Sequence, residues 1–403
     1  MTLTGLPLLV ALIGALVATV ATMLLCWNRW PGRWAWPARV LCLLLVMVLP
    51  VAVAGDAENR YYGFYASWGD LAGSPGDVRP AAGARLAHRQ IPGDVLAEGA
   101  ASAAHGHGIL IPWTLDGGRS DITRAGYVYL PAAYFDKTKP DDRFPVIELL
   151  HGYTGSPRAW LKGLPIASML NQEISAGRMP PVIAVAPKEY DANDGECVNA
   201  VDGEQNETYL ARDVPADLAA VFRTATAPDS WATLGFSTGG FCAVNIALHN
   251  QDRYRAAVSL SGYFTAVTDR TTGDLYRGDE VARRYNSPQW FVSHHLVRPS
   301  LYVFASGGDS YAYTRVKPFQ EAVPAGTDLT VVTVPAGGHN TLVWNAALPP
   351  ALDWLAQRLP APTATALTER GSSVAPSRLP GSLATVSRPT EVTAPRRTTG
   401  RVS

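Results

Sequence analysis

Ser237 stands in the run Gly235-Phe236-Ser237-Thr238-Gly239-Gly240, a G-x-S-x-G pattern. A serine hydroxyl becomes a useful nucleophile only when a neighbouring base takes its proton. The apolar stretch Ala232–Leu234 before the pattern reads as a strand, and Phe241–Leu248 after it reads as a helix. On such a strand-to-helix turn the flanking glycines admit a tight backbone, and Oγ is lifted above the sheet.

The base is expected at His339, in Pro335-Ala336-Gly337-Gly338-His339-Asn340, directly after the last strand-like run. The carboxylate that would orient it is assigned to Asp309, in Ser306-Gly307-Gly308-Asp309-Ser310; Glu321 is the fallback. The chain order Ser, Asp, His is one of those used for this chemistry. Leu149-Leu150-His151-Gly152-Tyr153-Thr154-Gly155 follows another strand. Its Tyr153 amide, with that of Thr238, is expected to hold the oxyanion of an acyl-transfer intermediate. His151 reads as structural.

Other polar residues carry less. His105 and His107 form a pair without a third ligand at zinc-like spacing, so no metal is expected there. His294 and His295 fall in the Phe264–Pro299 segment, read as a cap over the site, and are taken as solvated. Asn206-Glu207-Thr208 matches a glycosylation sequon. Cys197 and Cys242 are candidates for a disulfide if their part of the chain meets an oxidising compartment.

The elements that must position these residues follow from apolar patterning. Strands are expected at Ile109–Trp113, Tyr127–Leu130, Val146–Leu150, Val182–Ala186, Ala232–Leu234, Ala256–Leu260, Leu301–Ala305 and Leu329–Val334. The later runs lack alternation, as strands buried on both faces of a parallel sheet do. Amphipathic segments lie between them, the clearest being Tyr209–Arg223 with Val214, Leu218, Val221 and Phe222 on one stripe. The fold class is α/β, with a mostly parallel central sheet and helices on both faces.

Four regions result. Residues 1–55 hold two apolar runs, Leu3–Trp27 and Val40–Gly55, around Arg29, Arg33 and Arg39. They read as a membrane hairpin with the arginines inside and the remainder outside, because basic residues stay on the cytoplasmic side. Ala52-Val53-Ala54 leaves open cleavage as a signal sequence. Residues 56–104 read as a linker with docked aromatics, 105–360 as the catalytic domain, and 361–403 as a disordered tail rich in Pro, Thr, Ser and Arg. The whole chain carries 34 basic and 34 acidic residues, which offers no field for nucleic acid.

Taken together, His151-Gly152 to Gly155, Glu207–Leu210, Asp213-Val214-Pro215, Gly235–Gly240, Ser259-Leu260-Ser261-Gly262 and Gly337–Asn340 resemble the esterase D-type branch of α/β-hydrolases, and within it the antigen 85 mycolyltransferase-like esterases. The resemblance covers roughly residues 105–359. It implies ester hydrolysis or acyl transfer through a seryl acyl-enzyme, without metal or organic cofactor. Mycolyltransferases differ in carrying Asp-Gly at 151–152, an arginine at 154 and a glutamate, further along than Asp309, as the acid. A serine-dependent ester hydrolase outside the cytoplasm is the first reading. Transfer of an acyl group to a cell-envelope sugar or lipid is the second, and a non-catalytic envelope-binding role the third. The partners expected are an acyl ester and the membrane.

Overall fold

The structure, a computed structural model, describes residues 6–30, 32–62, 68 and 90–364. Two long apolar helices come first, α1 (Leu6–Cys26) and α2 (Ala35–Tyr62), packed against one another. Arg39 donates to the Trp27 carbonyl at 2.8 Å and lies over the Trp27 ring, closing the turn between them. Large apolar side chains on both helices are exposed, Leu24, Leu25, Met47 and Val51 among them, and each helix is long enough to cross a bilayer.

Eight strands form one sheet: β1 (Ile109–Gly117), β2 (Ile122–Leu130), β3 (Val146–Leu150), β4 (Ile183–Pro187), β5 (Trp231–Phe236), β6 (Ala256–Leu260), β7 (Ser300–Ser306) and β8 (Leu329–Val334). Their order is β1-β2-β4-β3-β5-β6-β7-β8. β1 and β2 are antiparallel to their neighbours, and β4, β3 and β5 to β8 run parallel. Each expected strand is present; β1 and β2 run longer than their apolar cores because polar residues continue the ladder, and β5 gains Trp231, Gly235 and Phe236.

Side chains alternate between two cores. On β3, Val146 and Leu150 face one and Ile147 and Leu149 the other. The first core is covered by α5 (Val214–Val221), α6 (Thr238–His249), α7 (Pro288–His294) and α8 (Ser310–Ala322). The second is covered by α4 (Ile166–Ser175) and α9 (Thr341–Ala356). Burying one such Val, Leu or Phe is worth about 1.5–3 kcal/mol.

Three sequence expectations shift. The helix built on the second apolar run does not stop with that run at Gly55: α2 continues to Tyr62 with Pro50 inside it. The segment to 104 is not all linker, because α3 (Gly93–Ala103) packs on the turn Ala132–Phe135, where a Cβ on Gly99 would collide with the Phe135 ring. Ile91 and Val95 also add apolar surface to the first core, so the catalytic body begins before His105. The Tyr209–Arg223 helix is broken into a π-turn, Tyr209–Asp213, and α5, and Phe222 leaves the helix extended while remaining buried. At the end of the body, Thr363–Ala364 pairs with Asp142–Arg143; the remainder of the tail lies outside the described residues, as do most of residues 63–89.

Candidate active site

Ser237 sits between β5 and α6 with φ 57° and ψ −127°, a conformation that side chains adopt only when the surroundings enforce it. The enforcement is local. The Ser237 amide donates to the Leu260 carbonyl at 2.9 Å, and α6 starts at once, with Phe241 N–H reaching back to the Ser237 carbonyl. A Cβ on Gly239 would lie 2.2 Å from the Leu150 carbonyl oxygen, so only glycine lets this helix approach β3 so closely.

His339 reaches this turn from the loop after β8. Ser237 Oγ donates to His339 Nε2 at 2.8 Å, and Nδ1–H donates to Asp309 Oδ2 at 2.6 Å, the tautomer being assigned from these partners. Asp309 is buried and serves a second purpose as the N-cap of α8, its Oδ1 accepting from the Ala312 amide at 3.2 Å. The loops bearing Asp309 and His339 are tied together by Ser306 Oγ, which donates to the Gly337 carbonyl at 2.9 Å. The fallback acid, Glu321, stands at the far end of α8, exposed and beside Lys317 at 3.8 Å; it is outside the site.

The loop after β3 packs directly on the serine. A Cβ on Gly152 would lie 2.9 Å from Ser237 Cβ. Tyr153 and Thr238 line the same cavity of about 180 Å³ as Ser237 and His339. Thr238 opens α6, where first-turn amides have no acceptor within the helix. His151 is fully buried behind the loop, where burial pushes its pKa down to about 4. Its amide donates to Glu189, and its Nδ1 faces the Gly152 carbonyl at 3.0 Å, so it braces the loop from beneath.

Sequence reasoning missed the opposite wall. Asp194, Ser261, Tyr263, Val267, Asp269, Thr271 and Tyr311 complete the lining. Asp194 is buried, accepts from Thr238 Oγ1 at 3.0 Å, and has its pKa raised to about 6 by burial. Behind it Glu196 accepts from Tyr263 at 2.8 Å and from the Val267 amide. Burial raises its pKa to about 8. The loop carrying both acids is fixed on two sides. Buried Arg124 donates to Asp191, Glu204, Asn206 and the Glu189 carbonyl. A disulfide joins Cys197 to Cys242 of α6, with Cα atoms 5.5 Å apart. The only available signal was the density of acids in Asp191–Glu196 beside a cysteine.

The remaining candidates lie elsewhere. His294 and His295 stack on Trp290 and Phe291 outside the cavity, and the Phe264–Pro299 segment walls the site only through its first residues; α7 packs on α6 and α8 instead. His105 and His107 are exposed beyond α3. Asn206 of the sequon is buried, held by Arg124. A larger cavity of about 580 Å³ lies by Asp229, Gln251 and Arg358, at the opposite ends of the parallel strands from Ser237.

Against known proteins, the family described as Putative esterase matches residues 121–355. An uncharacterized protein of Corynebacterium glutamicum is 29% identical over 269 residues, which are 62% of each chain. The chain thus spans under two thirds of that curated relative's length. Among solved structures, an S-formylglutathione hydrolase of Agrobacterium tumefaciens superposes with a TM-score of 0.54 at 18% identity, covering 63% of this chain and 96% of that one. A fluorophosphonate-binding serine hydrolase of Staphylococcus aureus gives 0.53 at 18% over 62% and 99%. A ferulic acid esterase gives 0.53 at 19% over 63% and 99%. At these identities the likeness is one of fold.

Proposed function

From the premise that the chain belongs to the putative esterase family, with an α/β-hydrolase fold, we propose that it hydrolyses carboxylic esters through an acyl-enzyme on Ser237. The observation that carries this reading is the unbroken relay from Ser237 Oγ through the imidazole of His339 to Asp309, with contacts of 2.8 and 2.6 Å.

In the proposed first step His339 Nε2 takes the Ser237 proton while Oγ forms a bond to the ester carbonyl carbon. The carbonyl oxygen becomes an oxyanion held by the Tyr153 and Thr238 amides, each worth roughly 3 kcal/mol of barrier lowering. The C–O bond to the alcohol then breaks, and the alcohol leaves with the proton from Nε2. Asp309 stabilises the imidazolium and keeps its Nδ1–H in place. Water enters, loses a proton to Nε2 and releases the acid, restoring Ser237. An alcohol in place of water gives acyl transfer by the same steps. None of them calls on a metal or organic cofactor.

The extracytoplasmic setting is part of the proposal. It is supported by Arg29, Arg33 and Arg39 at the turn between two membrane-length helices, and by the Cys197–Cys242 disulfide, which an oxidising compartment preserves.

Ser237→Ala is expected to abolish both p-nitrophenyl acetate turnover and labelling by a fluorophosphonate, with unchanged far-UV circular dichroism. Retained turnover or labelling refutes the nucleophile.

A further inference from the structure

The outer end of the apolar hairpin is linked to the loops carrying Ser237 and His339 through one short turn. α2 packs against the turn Ala159–Lys162, and the polar residues near its C-terminal end, Asp56 and Asn59, are only 8% and 7% exposed. That turn belongs to the surroundings of the active serine and histidine. Trp160 packs on the ring of Phe236, the residue before Ser237, at 5.1 Å. Gly163 abuts Thr341, two residues beyond His339, and its carbonyl accepts from Asn345 at 2.7 Å. Asp56, Glu58 and Asn59 also mark where the apolar stretch of α2 gives way to polar residues, which places this level at the lipid–water boundary.

The rim suits such a boundary. Leu342, on the first turn of α9 just after His339, is 70% exposed; Tyr313, on the first turn of α8 just after Asp309, is 42% exposed. Neither lines the cavity. An exposed leucine with an amphipathic tyrosine fits the headgroup layer, where one side is wet and the other apolar. The cavity itself, about 180 Å³, falls below the roughly 300–1,000 Å³ that encloses a whole ligand. Only the ester end of a larger molecule fits inside.

We propose that the mouth of the Ser237 site faces the bilayer surface and that its substrate is an ester carried by an amphiphile seated in the membrane. The hydrocarbon portion stays in lipid against Leu342 and Tyr313 while the ester enters the cavity. This rests on reading α1 and α2 as spans and Ser237 as the nucleophile.

Two measurements on the full chain in phosphatidylcholine vesicles test it. In the first, Cys26 and Cys42 are replaced by alanine, and a bimane is attached through Leu342→Cys or, as control at the opposite ends of the parallel strands, Arg298→Cys. Brominated lipid is expected to quench position 342 strongly and position 298 weakly; equal quenching overturns the orientation. Protection of position 342 that grows with protein-to-lipid ratio instead of lipid contact assigns the rim to a second copy and also overturns it. In the second, the double variant Leu342→Glu, Tyr313→Glu is compared with the parent on vesicle-embedded dihexanoylglycerol and on soluble 4-methylumbelliferyl hexanoate. Turnover of the embedded ester is expected to fall about tenfold or more with the soluble ester unchanged within about twofold. Parallel loss on both esters sinks the proposal. If the parent cleaves neither ester and takes no fluorophosphonate, the esterase reading has failed, and the quenching result alone decides the orientation.

Discussion

Asp309 joins two functions in one carboxylate: Oδ2 receives the His339 Nδ1–H, and Oδ1 caps α8. Asparagine keeps an oxygen for the cap but loses the charge that stabilises the imidazolium. Asp309→Asn is therefore expected to lower kcat by about 10³–10⁴ while the melting temperature of the detergent-solubilised protein hardly moves. Glu321→Gln, at the exposed end of the same helix, is expected to leave kcat and KM at the parent values. A large kcat loss in the Glu321 variant with near-normal kcat in Asp309→Asn would exchange the two assignments. The same relay explains why His339 is not packed away: its ring edge meets Trp344 at 5.0 Å on one side, and the other side opens on the cavity.

Among the elements, β3 carries an acid where a strand buried on both faces is ordinarily apolar. Glu148 is fully buried; Tyr254 donates to it at 2.6 Å, and burial raises its pKa to about 8 from an ordinary 4.5. Between those values the folded state holds a proton that the unfolded chain has released. The associated stability is complete below pH 4.5 and is lost as pH climbs toward 8. Glu148→Gln keeps an acceptor for Tyr254 and cannot ionise, so its urea midpoint is expected to fall less between pH 5 and pH 8 than that of the parent. Identical pH slopes would refute this. The loop after β4 depends on a covalent tie as well: the Cys197–Cys242 bridge closes 45 residues and joins the acidic wall of the cavity to α6. Replacing both cysteines by serine is expected to cost about 2–4 kcal/mol, read from the urea midpoint. Because Asp194 lies three residues from Cys197, KM should rise as well; an unchanged midpoint would show that the loop is held without the bridge.

For the whole molecule, the decisive relation is between the apolar hairpin and the catalytic body. Ala52-Val53-Ala54 lies inside α2, which runs unbroken to Tyr62, and the helix is seated against the body near the site. The chain is therefore expected to stay in the membrane fraction after an alkaline wash and to retain residues ahead of Ala54 by mass spectrometry. A soluble chain beginning at Gly55 would show that the hairpin is a removable leader. Proteolysis of intact spheroplasts is expected to reach the catalytic body; its full protection would place the body inside.

Much of the architecture was legible in the linear chain because its determinants are local. A strand buried on both faces is written as a largely apolar run, and β3 and β6 begin and end where those runs do, as does the half-buried edge strand β8. The turn around Ser237 is likewise local, since its glycines are demanded by backbone atoms a few residues away or on the adjoining strand. The position of Asp309 directly after an apolar strand favoured it over Glu321, but nothing in sequence marks Asp194 and Tyr263 as cavity walls, because carboxylates and phenols acquire such roles only from what the fold brings beside them. Tertiary structure decided that Cys197 reaches Cys242, that Asp194 and Tyr263 face Ser237 across the cavity, and that α2 is seated against the turn Ala159–Lys162. Each of these contacts joins segments widely separated along the chain, and such distances are set by the packing of the sheet and its helices.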